Sequence, residues 1–139
     1  MKIKVNTKNL DSRIDFLNEN NKLLYWTIYD FSYKRRMRIF NDLDIEQAYV
    51  RLKIETLNND IALYDLQDNL LEKFNENNLF GNIEELKLDV KKDNELFMHI
   101  EKNDNECEIN VFSENILSAI MYMIVILDLH KENYEKTRV

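Results

Sequence analysis

The stretch from Glu85 to Val111 reads ELKLDVKKDNELFMHIEKNDNECEINV, and its reading decides the fold. Leu86, Leu88 and Val90 alternate with Glu85, Lys87 and Asp89. Leu96, Met98 and Ile100 alternate with Phe97, His99 and Glu101, and Cys107, Ile109 and Val111 alternate with Glu106, Glu108 and Asn110. Successive side chains of a strand point to opposite faces, so this pattern predicts three antiparallel strands with one apolar face. Placing the apolar rows together pairs Val90 with Leu96 and Ile100 with Cys107. Lys92-Asp93-Asn94, with Asn94 left-handed, and Lys102-Asn103-Asp104-Asn105 then form the loops.

C-terminal to this meander, Ser113 offers a helix cap with Glu114 at the positive end of the helix dipole, and Phe112 and Leu117 are spaced as a hydrophobic staple. From Ile116 to Leu127 the chain is apolar on nearly every side, broken only by Ser118. Such a helix must be buried on more than one face. N-terminal to the meander, Lys2–Val5 alternates as a short strand and Asp11-Ser12 caps a short helix carrying Ile14 and Leu17. Residues 23–40 fit strand or helix, with strand favoured by their aromatic and β-branched content. Asp44-Ile45-Glu46-Gln47 has capping-box spacing before the stripe Ile45, Ala48, Tyr49 and Leu52, and Asp60 caps a further helix carrying Leu63, Leu66, Leu70 and Phe74. The expected class is α+β. An antiparallel β-meander over about residues 85–112 packs on a long, largely buried C-terminal helix over about 114–133. Two or three further helices and an extra strand or two come from the N-terminal half. No repeat or linker stands out, so residues 1–139 read as a single compact domain.

The 139 residues carry a formal charge of −7, with 45% hydrophobic and 11% aromatic residues, enough to build a core rather than a disordered chain. Cys107 is the single cysteine, so an internal disulfide is excluded and a cytoplasmic location is expected. The N-terminus lacks a signal-like apolar segment, and no apolar run reaches the ~18–20 residues that span a bilayer, so no membrane association is expected. There is no proline and one glycine, Gly81, while asparagine recurs in the turns (Asn20-Asn21, Asn58-Asn59, Asn77-Asn78) and takes over glycine's left-handed positions. The Asn, Lys, Ile and Tyr bias points to an AT-rich source such as a low-GC bacterium or its phage.

Catalytic motifs are scarce. One glycine builds neither a P-loop nor a dinucleotide fingerprint, and Cys and His are too few for a zinc cluster, so no cofactor and no metal site is expected. Cys107 falls on the apolar face, away from His99, and reads as an inert buried thiol. His130 reads as a capping or surface residue at the last turn of the helix. The predicted register lines up Glu85, Glu101 and Glu106, with Lys87, His99 and Glu108 as the next row. That face reads as a wet surface, as a docking site for a basic partner, or as a place where His99 acts as a general base.

Lys34, Arg35, Arg36 and Arg38 are candidates for contact with an anion, or are neutralised by Asp30, Asp42, Asp44 and Glu46 nearby. Trp26, Tyr29 and Tyr33 are candidate anchors in an aromatic run too dense for one face to hide. Net acidity disfavours direct nucleic-acid binding and attracts basic partners. The expectation is a non-enzymatic acidic protein-binding module, of the kind seen in phage inhibitors or toxin-immunity proteins, masking a basic surface on its target. The alternatives are a small metal- or acid/base-dependent enzyme using His99, Glu101 and Glu106, and a homo-oligomeric structural or regulatory subunit.

Overall fold

In the computed structural model the described residues are 1–7, 13–30, 36–52 and 61–137, with side chains up to residue 131. Their strands are β1 (Lys2–Asn6), β2 (Arg13–Leu17), β3 (Leu23–Asp30), β4 (Arg36–Asn41), β5 (Glu46–Arg51), β6 (Ala62–Tyr64), β7 (Leu70–Lys73), β8 (Leu79–Asn82), β9 (Lys87–Lys92), β10 (Glu95–Asn103) and β11 (Glu106–Val111), followed by the helix α1 (Ile116–Thr137). All eleven strands belong to one sheet in the order β7-β6-β5-β4-β3-β2-β1-β11-β10-β9-β8, and every pairing is antiparallel.

This corrects the expected class. The segments anticipated as N-terminal helices are strands β2, β5, β6 and β7, and one α-helix, not three or four, is present among the described residues, beside a single 3-10 turn at Glu76–Asn78. Residues 23–30 and 36–41 are strands, as their composition favoured.

The sheet must curl, because α1 is buried on all sides from Ser118 to Leu127. Every residue from Ser118 to Leu127 is at most 3% exposed, and inward side chains such as Val5, Phe16, Ile39, Val50, Leu88, Ile100 and Ile109 share one core with it. A straight helix can lose all its faces to a single sheet only if that sheet wraps it.

Direction explains how the wrap closes. With β11 antiparallel to β1, alternation around the ring makes β7 and β8 run the same way, and they do not pair with each other. Residues 70–82 therefore leave one sheet edge beside β6 and become the other edge beside β9. The five residues between these strands cross the seam over Tyr122, whose hydroxyl accepts from the Asn75 N–H (3.4 Å) and Asn78 Nδ2 (3.1 Å). Lys92 Nζ bridges the gap to Glu72 Oε1 at 2.5 Å and lies 4.0 Å over the Phe97 ring. Gly81 permits the close approach of β8 to β9. Its φ is +137°, and an added Cβ would sit 2.5 Å from the Lys87 carbonyl oxygen and 2.7 Å from Leu88 Cα.

The three strands anticipated between Glu85 and Val111 are present as β9, β10 and β11, but their register differs. The turns hold two residues each, Asp93-Asn94 and Asp104-Asn105, with positive φ at Asp93, Asn94 and Asp104. Two central residues at positive φ are what a type I′ hairpin requires, and Asp93-Asn94 meets that. Val90 faces Met98, Ile100 faces Ile109, and Cys107 faces Lys102. Phe97 is the extra residue of a bulge, so it turns into the core (6% exposed) and leaves Leu96 outside (41%). At the helix start Asn115 accepts the Ser118 N–H (3.3 Å), while Ser113 Oγ accepts the Asn115 N–H (3.1 Å). Asn115, not Ser113, is the cap, and Phe112 is 62% exposed instead of stapled.

Three hairpins, β2–β3, β4–β5 and β6–β7, share one construction. Each turns on Asn18, Asn41 or Asp65, whose side-chain oxygen accepts the N–H groups two and four residues on at 2.9–3.0 Å. The third residue after each, Asn21, Asp44 or Asp68, has φ between 61° and 64°. Each pairing then slips by one residue at the same place, between Phe16 and Leu17, Ile39 and Phe40, and Leu63 and Tyr64. The chain thus contains an internal structural repeat that its side chains conceal.

Candidate protein-binding surface

The polar face of β9–β11 does not hold the expected acidic row. Glu85 lies in the β8–β9 turn, where its N–H donates to Asn82 Oδ1 (3.0 Å). Glu101 stands between Lys87 and Glu108, and Glu108 next faces Lys4 on β1. Glu106 faces Asn103 and Asn6. The two carboxylates that do oppose each other, Glu101 and Glu108, are flanked by a lysine on either side, so this face is balanced rather than acidic.

His99 stands between Asp89 and Asn110, not between Lys87 and Glu108. Its Nδ1 lies 2.5 Å from Asp89 Oδ1 and its Nε2 lies 3.4 Å from Glu101 Oε2. The hydrogen bond to Asp89, reinforced by Glu101, raises the imidazole pKa above its ordinary value. That direction favours the imidazolium over the neutral ring. Burial pushes the Cys107 thiol up to about 12, as an inert thiol requires. His130 reaches back to the β8–β9 turn, its Nδ1 3.1 Å from the Ile83 carbonyl oxygen. Among the described residues no group of three or more His, Cys, Asp or Glu side chains is placed to hold a metal ion.

The outer face of β2–β6 is an arginine–aromatic ladder. Trp26 stacks on Phe40 (4.2 Å between centroids), Arg13 covers its other side at 4.3 Å, and its indole N–H donates to Asp44 Oδ1 at 2.9 Å. Tyr49 stacks on Tyr64 at 5.4 Å, with Arg36 and Arg51 over the two rings. Arg36 pairs with Asp30 (3.3 Å), and Arg38 takes Glu46 with two hydrogen bonds (3.1 and 2.9 Å). Arg36 and Arg38 are thus each paired with one carboxylate, of Asp30 and Glu46. Lys34, Arg35 and Tyr33 lie outside the described residues. Tyr29 is on the inward row of β3 and packs against the core, so it and Trp26 do not share a face.

The feature that sequence reading missed lies at one end of the barrel. Tracing strand directions from β1 puts the turns β2–β3, β4–β5, β6–β7 and β9–β10 and the β11–α1 link at that end. These turns carry Glu19, then Asp42 and Asp44, then Asp65 and Asp68, then Asp93, and Glu114 before the helix. Among their described residues the one basic side chain is Lys22. The Met1 amino group, also at this end, donates to the Val111 carbonyl (2.9 Å).

Of the exposed large hydrophobic residues among those described, all but Ile28 and Phe80 gather at the same end. Leu43 (72%) and Ile45 (56%) lie in the β4–β5 turn; Leu66, Leu70 and Leu71 lie in and after the β6–β7 turn; Met1, Leu96 and Phe112 lie across the rim. Three of these acids are held in place. Asp44 accepts the Trp26 indole N–H, Asp68 accepts the Tyr49 hydroxyl (2.6 Å), and Asp65 accepts the backbone of its own turn, which lowers its pKa. The turns at this end thus carry a set of acids, three of them fixed by hydrogen bonds, among uncovered leucine and isoleucine side chains.

No helix among the described residues is long and apolar enough to cross a membrane. Comparison with protein-family models, curated proteins and solved structures finds no match for this chain.

Proposed function

We propose that this protein is a non-enzymatic acidic binding module that engages a protein partner through a basic surface, masking it as inhibitors and immunity proteins do. The supporting observation is the collection of acidic turn residues with exposed apolar side chains at one end of the barrel, where Lys22 is the one basic side chain among the turns. Opposite charge steers encounter, and desolvated apolar contacts slow dissociation. A reducing cytoplasmic setting suits the buried, unpaired Cys107. The basic partner anticipated from net charge is kept in this reading; the surface assigned to it moves from the β9–β11 face to the turn end.

The test is affinity capture from the native host at low and high salt, using the protein and a charge-reversed form carrying Glu19→Lys, Asp42→Lys and Glu95→Lys. The expected result is a protein partner retained at low salt and released at high salt. Its association with the reversed form should be slowed about tenfold or more at low ionic strength. If the reversed form captures the same partner with the same salt dependence, acidic steering is not how this chain recognises it.

A further inference from the structure

We infer that the tips of the second and third hairpin turns, Leu43 and Ile45 with Leu66, are the apolar anchors of that partner contact, and that the partner presents a basic amphipathic element to them. The inference rests on the reading above and adds which residues make the contact and what must face them.

The three repeated turns supply an internal control. Their backbone hydrogen bonds are the same: the N–H three residues on donates to the first residue's carbonyl at 3.0–3.1 Å, and the first N–H donates to the fifth residue's carbonyl at 2.8–3.0 Å. Yet the second position holds Glu19, Asp42 or Leu66, the third Asn20, Leu43 or Gln67, and the fifth Lys22, Ile45 or Asn69. Each apolar tip residue therefore has a polar counterpart that makes the same turn equally well. Folding does not ask for leucine or isoleucine at these places, where water contact is unfavourable; Leu43 is 72% exposed, Ile45 56% and Leu66 48%.

Charge selects the occupant. Asp42 and Asp44 bracket Leu43, and Asp65 and Asp68 bracket Leu66 with Gln67, so an element reaching the tips meets carboxylates on both sides. A second copy brings the same ring of acids and is repelled, whereas a helix with leucine on one side and lysine or arginine along its flanks matches both features.

The test uses fluorescence anisotropy with two labelled peptides of equal charge, an amphipathic Leu/Lys peptide and a lysine-only peptide. The natural protein is compared with a variant carrying Leu43→Gln, Ile45→Asn and Leu66→Gln, the first two being what the third turn holds at those positions. The natural protein should prefer the amphipathic peptide by about tenfold or more, the worth of one buried aliphatic side chain. The variant should lose that preference while keeping its melting temperature and its affinity for the lysine-only peptide.

Equal, salt-sensitive binding of both peptides by the natural protein, or a preference that survives in the variant, overturns the tips as anchors and leaves the acidic-module reading standing. Failure to bind either peptide at low salt sinks that reading as well. A dimer seen by light scattering that the variant dissolves assigns the tips to a second copy and overturns the basic partner.

Discussion

The two parts of the sheet are built by different rules around the same helix. From β8 through β11 to β1 the strands alternate strictly, apart from the bulge at Phe97, and the outward charges cancel along the row Lys87, Glu101, Glu108 and Lys4. From β2 to β7 the hairpins carry a bulge each, and the extra residues Leu24, Gln47 and Leu71 shift the inward–outward phase. The first part is a wall. The second holds the arginine–aromatic ladder and the apolar turn tips. A bulge twists a strand and re-aims the side chains beyond it, so the region with bulges is the one able to present side chains to another molecule.

That contrast holds only if both parts share a single core, and large-to-small substitutions are the strongest way to break it. Phe16 on β2 and Ile109 on β11 are 0% and 1% exposed and belong to the same cluster. Phe16→Ala should cost about 3–5 kcal/mol and Ile109→Ala about 2–5 kcal/mol, each shifting one cooperative chemical-denaturation transition. Two transitions, with each variant moving a different one, would show the parts to be separate folding units. The junction comes next. Gly81→Ala forces a Cβ onto the Lys87 carbonyl in a backbone region that only glycine occupies readily, and the expected cost is about 1–3 kcal/mol in the same measurement. A neutral Gly81→Ala would mean that β8 docks on β9 less closely than 2.5 Å implies.

The repeat is sharpened by smaller changes. Asn18→Ala, Asn41→Ala and Asp65→Ala each remove the one side-chain oxygen that accepts two backbone N–H groups in equivalent turns. Asn18→Ala and Asn41→Ala should lower stability by roughly 1–2 kcal/mol and by similar amounts, and Asp65→Ala by somewhat more, because Asp65 also accepts Asn69 Nδ2 at 3.0 Å. A spread wider than the hydrogen bonds explain would show that the turns are alike in outline only.

How the sequence misled is physical. Strict alternation from Glu85 to Val111 is legible because nothing interrupts it until Phe97. In the hairpin region the bulged Gln47 moves Ile45, Ala48 and Tyr49 onto helical spacing, and the turn Asp65–Asn69 places Leu63, Leu66 and Leu70 there as well. Asp44, which looks like a helix cap, sits at φ 61° in a turn. Leu66 and Leu70, assigned by that spacing to a buried stripe, are 48% and 49% exposed.

The proposed basic partner was already suggested by a net charge of −7, but the surface proposed for it was not. The anticipated acidic row depended on a register that two-residue turns displace. The signal that marks the proposed surface is a recurring five-residue pattern with Asn or Asp first and fourth, beginning at Asn18, Asn41 and Asp65.

The smallest expected effect tests the balanced face of the wall. The hydrogen bond to Asp89 favours the charged form of His99, so the imidazole pKa is higher folded than the ordinary ~6.5 of an unfolded histidine. A group whose folded pKa is raised contributes its full stabilisation below the unfolded value and loses it as pH rises through the folded one. Stability should therefore fall as pH increases from about 6.5 through the folded His99 titration, and Asp89→Asn should flatten that fall. The side chains are 39% and 36% exposed, so water screens the pair and the change stays below about 1 kcal/mol. Titration of the imidazole by NMR checks it directly, since Asp89→Asn must bring the His99 midpoint down. A midpoint unmoved by that substitution would mean that the charges of this face do not act on one another, and that its balance is only a matter of counting.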